Sequence, residues 1–299
     1  MLTTFPKLKC AIIGSGKIGT DLLRKIIKSP YLECSVFIGR NPESDGLRTA
    51  QEIGIKTSHR GIQEIIENPS SCNLVFDASS AENHFKHAPI LKALNKKIID
   101  ITPSNLGFPC IPALNTAESL LHNNVGLITC GGQVSIPLAY AISETHKNTQ
   151  YIEVVTTISS LSAGNATRSN LDEYIETTEQ ALKYFTGCTK VKAILILNPA
   201  SPAINMQTTV FAKVKDYHLD KLNQEVQTMV AKIQEYASGY RIISPPVIDN
   251  ERIVLMASVQ GSGDFLPSYS GNLDIINCAA IKIAEEYVLN SYRSEVVGQ

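Results

Sequence analysis

Apolar segments alternate with helical patterns through the first half of the chain. Buried strands are predicted by five apolar runs, at residues 8–13, 34–38, 73–77, 97–100 and 125–129. After the first run, Leu22, Leu23 and Ile26 fall at helical spacing, and similar helical patterns follow later strands. Strands that alternate with helices are typical of a parallel sheet with helices on both faces. We therefore predict an α/β fold with a Rossmann-type, doubly wound parallel sheet.

The pattern changes after about residue 150. Long β-branched runs predict strands at 151–159, 191–197, 207–213 and 253–259, with helical patterns near 171–185, 219–236 and 273–287. Few helices among many strands favour a mostly antiparallel sheet, typical of an α+β catalytic and dimerisation domain. We expect the final helix to return to the first domain. The predicted domains are therefore a dinucleotide-binding Rossmann domain at 1–130 plus 271–299, and a catalytic and dimerisation domain at 131–270.

A glycine fingerprint follows the first predicted strand and opens the first helix. Gly14, Gly16 and Gly19 match the spacing G-x-G-x-x-G. In a dinucleotide site the first glycine permits the tight turn, the second lets a pyrophosphate approach the backbone, and the third lets helix and strand pack closely. The helix N-terminus then binds the phosphates. The alternative is an ordinary glycine-rich turn between a strand and a helix.

Two later strand ends bear on the cofactor. Arg40 and Asn41 follow the second strand, where dinucleotide-binding folds often have an acidic residue for the ribose hydroxyls. Arg40 either binds a 2′-phosphate, which favours NADP, or is a solvated loop residue. Ala78, Ser79 and Ser80 follow the next strand, and such small residues suit a backbone that lines the cofactor crevice.

A lone cysteine follows the fifth predicted strand. Cys130 precedes Gly131 and Gly132, and a helix pattern begins near Ile136, with Pro137 suited to its first turn. A cysteine at a helix start meets unpaired N–H groups and the positive end of the helix dipole, which favour the nucleophilic thiolate. Cys130 is therefore a candidate nucleophile for a carbonyl carbon, in the crevice predicted for the dinucleotide. The alternative is a small buried apolar side chain.

The composition excludes several classes of protein. The formal net charge is −1, and no long run has one sign, which argues against a nucleic-acid or anionic-membrane partner. No apolar run approaches the roughly 18 residues of a membrane span, and the N-terminus lacks a signal-peptide core. The seven scattered cysteines form no CxxC pair, so we expect no metal, no disulfide framework and a cytoplasmic location. His84 and His87 share a helix face and are predicted to be surface histidines rather than metal ligands.

The chain resembles the acylating acetaldehyde dehydrogenases, the CoA-dependent enzymes that end meta-cleavage pathways of aromatic degradation. The resemblance covers nearly the whole chain, and its motifs are long. They are found at residues 11–22, 44–47, 129–133, 162–170, 198–200, 239–241 and 271–275.

The resemblance implies roles for particular residues. Cys130 matches the acyl-thioester nucleophile, and Asn170 matches a residue that positions the intermediate or the nicotinamide amide. NAD-contacting positions are implied for Ser15, Gly16, Lys17, Ile18, Ser162, Ala163, Gly164, Asn165, Ala166, Thr167, Arg168, Ser169 and Asn272. The implied reaction converts a short aldehyde, NAD(P)⁺ and coenzyme A to acyl-CoA, and a homodimer is the expected assembly.

Three departures from the family pattern leave alternatives open. Thr208 stands where the family has an aspartate near the cysteine, and Ser201 and Gln207 replace a glutamate and an arginine. Asn41 replaces the acidic residue after the second strand, and the segment between residues 241 and 271 is shorter than usual. These departures leave open the aldehyde, the acyl acceptor, NAD against NADP and the family's 4-hydroxy-2-oxovalerate aldolase partner. The alternatives are a cysteine-dependent dehydrogenase with another aldehyde or acceptor, and a catalytically weakened dinucleotide-binding partner or sensor.

Overall fold

Two units make up residues 6–297, the part of the chain that the computed structural model describes. The first unit holds the described residues up to Leu127 and again from Asn277, and the second is Ile128–Ile276. The side chains of Asn165, Ala166 and residues 294–297 lie outside the described residues.

The first unit is built on a seven-stranded parallel sheet. Its strands are β1 (Leu8–Ile13), β2 (Leu32–Ile38), β3 (Thr57–Ser58), β4 (Leu74–Asp77), β5 (Lys97–Asp100), β6 (Phe108–Pro109) and β7 (Asn124–Gly126). Its helices are α1 (Lys17–Lys28), α2 (Asp45–Glu52), α3 (Gln63–Glu67), α4 (Ala81–Ala93) and α5 (Pro112–Ser119). The strand order is β3-β2-β1-β4-β5-β7-β6. The chain adds β2 and β3 on one side of β1 and then β4 and the later strands on the other side. Ligands of such sheets bind beyond the carboxyl ends of the strands at this switch point, between β1 and β4. The predicted Rossmann-type fold is confirmed.

The second unit is built on a five-stranded sheet of order β11-β12-β10-β8-β9. Its strands are β8 (Tyr151–Ser159), β9 (Val191–Asn198), β10 (Met206–Lys213), β11 (Tyr240–Asp249) and β12 (Arg252–Val259). Its helices are α6 (Cys130–Thr145), α7 (Asn165–Ser169), α8 (Leu171–Thr186) and α9 (Leu219–Gln234). All neighbouring strands are antiparallel except β8 and β9, in agreement with the predicted mostly antiparallel sheet.

The last helix, α10 (Gly271–Val297), continues into the first unit. Within that unit the Asn277 amide donates to the Ile18 carbonyl at 3.1 Å and to the Asp21 carboxylate at 2.8 Å. The Tyr287 hydroxyl donates to the His122 carbonyl at 2.8 Å. These bonds hold the C-terminal helix against the first unit, as its apolar pattern led us to expect.

The helix after β7 begins earlier than predicted. Strand β7 ends at Gly126 rather than at residue 129, and α6 begins at Cys130 rather than near Ile136. The Thr129 hydroxyl accepts the Gly132 N–H at 2.9 Å and so caps the helix. Pro137 consequently lies inside α6 and not in its first turn.

Three other features of the second unit depend on its structure and were not predicted from the sequence pattern. Strand β11 was not predicted, because Pro245 and Pro246 interrupt its pattern; the register shifts around them. Residues 165–169, which lie within the sequence motif at 162–170, form the short helix α7. Asn170 precedes α8, but its side chain makes no capping hydrogen bond.

Within residues 6–297, no helix has the length and apolarity that a membrane span requires. No group of three or more His, Cys, Asp or Glu side chains arranged to hold a metal ion occurs in the same part of the chain.

Candidate active site

Cys130 is the first residue of α6 and is reached through a strained turn. Ile128, two residues before it, has a φ of 64°, which a β-branched residue rarely adopts. Such strain persists where the surrounding structure imposes it, and it is concentrated at functional sites. Of the seven cysteines, five are buried, and only Cys130 and Cys278 are partly exposed. The turn therefore places a partly exposed cysteine at the start of a helix.

Tyr174 of α8 lies against this thiol. Its hydroxyl is 3.7 Å from the Cys130 sulfur and accepts the Gly131 N–H at 2.9 Å. A Cβ added to Gly131 would lie 2.1 Å from the Tyr174 hydroxyl, so only glycine permits this approach. Sequence analysis did not predict this contact, because Tyr174 lies within a helix pattern 44 residues along the chain from Cys130.

Burial and hydrogen bonding act in opposite directions on the Cys130 thiol. Burial raises the pKa of Cys130 above its ordinary value, and the Tyr174 hydroxyl and the N–H groups of Gly131 and Cys130 offset only part of this rise. The N–H groups at the helix start therefore lower the pKa of Cys130 as expected, but burial, which the sequence did not show, outweighs them. Burial and the neighbouring Cys130 raise the pKa of Tyr174 well above its ordinary value, so the phenol stays protonated.

Two buried threonines continue the site on the sheet. The hydroxyls of Thr156 on β8 and Thr208 on β10 are 3.1 Å apart, and both side chains are buried. A Cβ on Gly131 would lie 2.9 Å from the Thr156 hydroxyl, which places this pair beside the first turn of α6. Thr208, which stands at the family's aspartate position, therefore has a threonine as its hydrogen-bond partner.

The loop before α8 is held by Arg168. Its guanidinium donates to the Ser160 carbonyl at 3.0 Å and to the Ser160 hydroxyl at 2.9 Å, and its Nε donates to the Ala163 carbonyl. Ser162 is buried and donates to the Ser159 carbonyl at 2.8 Å. The predicted cofactor contacts at Asn165 and Ala166 concern side chains outside the described residues.

Asn272 lies near the start of α10 and is 1% exposed. Its amide oxygen is buried and has no hydrogen-bond partner among the residues that the structure describes. A buried polar atom without a partner is costly, and a ligand can supply the missing bond. Asn272 therefore remains a candidate for a cofactor contact.

The glycine loop of the first unit has the geometry that its sequence predicts. Gly14 has a φ of 121°, and a Cβ on it would lie 2.3 Å from the Ala78 carbonyl oxygen. A Cβ on Gly19 would lie 1.8 Å from the Gly14 carbonyl oxygen, whereas one on Gly16 would meet nothing within 4 Å. Gly14 and Gly19 thus provide close packing, and Gly16 leaves open space at the start of α1. No acidic residue lies in the first turn of α1, which keeps this helix end favourable for an anion.

The loops after β2 and β4 lie at the same edge of the sheet. Arg40 is exposed directly after β2. The Ser79 hydroxyl and N–H both donate to the Asp77 carboxylate, at 2.5 and 3.1 Å. Ser79 therefore offers its carbonyl and hydroxyl oxygens, rather than its N–H or hydroxyl hydrogen, to a ligand.

A buried carboxylate and two histidines hold the loop after β4. The Nδ1 atoms of His84 and His87 lie 2.9 and 2.8 Å from the Asp77 carboxylate, and all three side chains are buried. The prediction that both histidines are surface residues is therefore wrong. Helical spacing places His84 and His87 on one face of the helix but does not show what that face packs against. The burial of the two histidines could therefore not be predicted from the sequence.

Asp77 and His84 each stabilise the charged form of the other. Burial raises the pKa of Asp77, but hydrogen bonds from His84 and His87 outweigh it and hold this pKa well below the usual range. Burial lowers the pKa of His84, but Asp77 and Asp100 outweigh it and raise this pKa. Asp100, at the end of β5, lies 3.4 Å from the Nε2 of His84, and burial raises its pKa to about 6.

Comparison with known proteins identifies the family. Residues 130–267 match the family model described as prokaryotic acetaldehyde dehydrogenase, dimerisation, and residues 9–105 match semialdehyde dehydrogenase, NAD binding domain. An acetaldehyde dehydrogenase of Pectobacterium atrosepticum is 52% identical over 281 residues, which cover 93% of this chain and 95% of the relative. The chain belongs to the acetaldehyde dehydrogenase family. Its first unit therefore contains an NAD-binding domain.

Other relatives agree with this assignment. An acetaldehyde dehydrogenase of Spirochaeta aurantia is 50% identical over 280 residues, 94% of each chain. The crystal structure of aspartate semialdehyde dehydrogenase II from Vibrio cholerae, complexed with ASA, superposes with a TM-score of 0.63 over 95% of this chain and 99% of that one. Its sequence identity is 12%, so this likeness shows the shared fold alone.

Proposed function

We propose that this member of the acetaldehyde dehydrogenase family is an acylating enzyme that converts acetaldehyde or a similar short aldehyde, NAD⁺ and coenzyme A to acyl-CoA and NADH. The observation that carries the proposal is the place of Cys130. It is a partly exposed thiol at the start of a helix, with a protonated phenol and backbone N–H groups directed at its sulfur. Such an arrangement is that of a cysteine nucleophile.

Cys130 carries the covalent chemistry in this proposal. Its thiolate adds to the aldehyde carbon, and the electron pair of the carbonyl bond moves to the oxygen. Loss of a hydride from the same carbon restores that carbonyl and leaves a thioester on Cys130. Coenzyme A, as its thiolate, then attacks the thioester, and the pair of the breaking S–C bond returns to Cys130. Asn170, at the start of the helix that carries Tyr174, is proposed to position the intermediate.

The residues of the first unit fit a dinucleotide. Gly16 leaves open space at the N-terminus of α1, and that turn carries no acidic side chain. We assign the pyrophosphate to the N–H groups of Ser15, Gly16, Lys17 and Ile18, with Gly14 and Gly19 shaping the turn. Ser79, Asn272 and the loop Ser162–Ser169 remain proposed contacts. When bound, NAD supplies the hydride acceptor.

Arg40 leaves NADP as the second cofactor candidate. It is exposed after β2, and no acidic residue follows it in sequence until Glu43. The carboxylate of Glu82 on α4 interacts electrostatically with it. We expect NAD⁺ to be the better substrate, and Arg40→Ala to reduce activity with NADP⁺ more than with NAD⁺. A loss that is equal for both cofactors would assign Arg40 to the solvated loop.

The proposal is tested by following nicotinamide reduction with acetaldehyde or propanal, with and without coenzyme A. We expect reduction that requires coenzyme A in the wild type and at least about a 10³-fold loss in Cys130→Ala. Cys278→Ala, which removes the other partly exposed thiol, is the matched control and should keep its activity. Sustained turnover without coenzyme A would identify a different acyl acceptor. Cofactor binding with no reduction would favour a sensor or partner protein.

We further propose a homodimer formed by the second unit, because residues 130–267 match a dimerisation model. One face of its sheet is covered by helices, whereas the other carries exposed Ile194 and Ile196 on β9 and partly buried Phe211 on β10.

A cytoplasmic location remains part of the proposal. Pull-down with an aldolase of the family's usual type would test the partner that the departures left open.

A further inference from the structure

The Tyr174 side chain lies against the proposed nucleophile. Its hydroxyl lies within hydrogen-bonding distance of the Cys130 sulfur, at 3.7 Å. Its hydroxyl already accepts the Gly131 N–H, so its own hydrogen is available for the sulfur. The Thr178 hydroxyl donates to the Tyr174 carbonyl at 2.7 Å and so adds a side-chain hydrogen bond within this turn of α8.

The position of Thr208 increases the importance of this phenol. A carboxylate at residue 208 would offer a base near the sulfur, but Thr208 pairs with Thr156 and has no charge. Position 208 therefore holds a neutral hydroxyl instead of a carboxylate base, and the charge on the sulfur is left to the phenol and the backbone N–H groups. A phenol that stays protonated can donate to a neighbouring anion at any pH at which the enzyme works.

We propose that the Tyr174 hydroxyl is a catalytic group that donates a hydrogen bond to the Cys130 sulfur whenever the sulfur is anionic. This inference rests on the proposed function of Cys130. The sulfur carries its charge before it attacks the aldehyde and again when coenzyme A displaces it from the thioester. Tyr174 stabilises both forms and transfers no proton, so the electron and atom balance of each step is unchanged.

The test measures alkylation of Cys130 by iodoacetamide against pH, read by peptide mass mapping so that the other cysteines do not interfere. We expect Tyr174→Phe to shift the alkylation profile to higher pH and to slow alkylation at mildly alkaline pH by roughly tenfold, as expected for one lost hydrogen bond to a charged group. Turnover should fall to a similar extent, with a smaller change in the KM for aldehyde. An unchanged profile would overturn the proposal.

Tyr240→Phe is the matched control. Tyr240 is also buried in the second unit, and its hydroxyl donates to the Val134 carbonyl of the same helix α6 at 3.0 Å. Its removal should leave the alkylation profile unchanged. Equal shifts in both variants would mean a general loss of packing and would also overturn the proposal.

Gly131→Ala provides a second disruption, because its Cβ would displace the Tyr174 hydroxyl. It should shift the profile in the same direction as Tyr174→Phe, and an unchanged profile in this variant would count against the proposal. Failure of the proposed function would be seen separately, as retained dehydrogenase activity in Cys130→Ala. Alkylation of the wild type and Tyr174→Phe is measured without turnover, so the two failures are distinguishable.

Discussion

Cys130 and Tyr174 form a pair at the start of α6, with the Tyr174 hydroxyl 3.7 Å from the Cys130 sulfur. A cysteine before two glycines, between a strand pattern and a helix pattern, was visible as a candidate nucleophile. Its partner was not, because the contact joins two helices and depends on Gly131 having no side chain. The sequence also suggested a thiolate, whereas burial raises the pKa of Cys130. Desolvation follows from tertiary packing, which local spacing does not show.

The raised pKa of Cys130 leads to a prediction for pH dependence. The thiolate is the reactive form, and its population rises with pH until the pH exceeds the thiol pKa. We therefore expect alkylation of Cys130 in the ligand-free enzyme to increase steadily from neutral into alkaline pH. Rapid alkylation that is already independent of pH near neutrality would contradict a pKa raised by burial.

Thr208 is expected to act through structure and not as a base. Its hydroxyl bonds Thr156 and is fully buried, so Thr208→Val removes one neutral hydrogen bond while keeping the shape. We expect a loss of about 1 kcal/mol in the free energy of unfolding. Turnover should stay within about threefold of the wild type, a change below 1 kcal/mol in the barrier. Urea unfolding and steady-state kinetics measure the two quantities, and a turnover loss of several hundredfold would assign Thr208 a chemical role.

At the scale of elements, the N-terminus of α6 depends on its cap. Thr129 accepts the Gly132 N–H and pairs with the Thr178 hydroxyl at 2.8 Å. Thr129→Ala removes both bonds and should lower the free energy of unfolding by about 1 to 2 kcal/mol. Thr129→Ser keeps the hydroxyl and should recover most of this loss in urea unfolding. Equal losses in the two variants would show that the methyl group, and not the cap, is responsible.

The carboxyl ends of β4 and β5 contain the buried Asp77 and Asp100 cluster with its histidines. Asp77 has a lowered pKa in the folded state, so its contribution to stability is present above its unfolded pKa of about 4. His84 has a raised pKa, so its contribution is complete below its unfolded pKa of about 6.5 and is lost as the pH rises through the folded value. The ion pair therefore stabilises the fold most between these two pH values.

Asp77→Asn tests this pair. We expect it to lower the free energy of unfolding by about 3 kcal/mol between roughly pH 4 and pH 6.5, because it removes the carboxylate that lies closest to the buried His84 imidazolium. The difference from the wild type should shrink at more alkaline pH, where His84 becomes neutral. Urea unfolding across this range measures it, with Asp45→Asn as a control at an exposed position. A difference that grows with pH would contradict the assigned charges.

At the scale of the whole molecule, the order of the main strands and helices was predictable, because the spacing of apolar residues differs between strands and helices and glycines mark the turns. The Rossmann-type sheet and most strands of the second sheet were predicted. The interrupted strand β11, the early start of α6 and the burial of His84 and His87 were not. Each depends on partners distant in sequence, or on a cap that competes with the apolar pattern.

The proposed dimer gives a prediction for the assembled protein. A charge placed at Ile196, which is 43% exposed on β9, would have to be desolvated if the sheet faces a second copy. We expect Ile196→Asp to convert the dimer to a monomer in light scattering after size exclusion. Leu121→Asp, at a position 81% exposed in the first unit, is the control and should remain dimeric. A wild type that is monomeric at all concentrations would refute the dimer.

The most direct measurement of the central claim is to trap the acyl group on Cys130. The enzyme is mixed with acetaldehyde and NAD⁺ without coenzyme A, quenched in acid and analysed by peptide mass mapping. We expect one acetyl group on the peptide that contains Cys130, and its loss when coenzyme A is added before the quench. An acetyl group on another residue, or NADH formation with Cys130 unmodified, would contradict the claim that Cys130 is the acyl carrier.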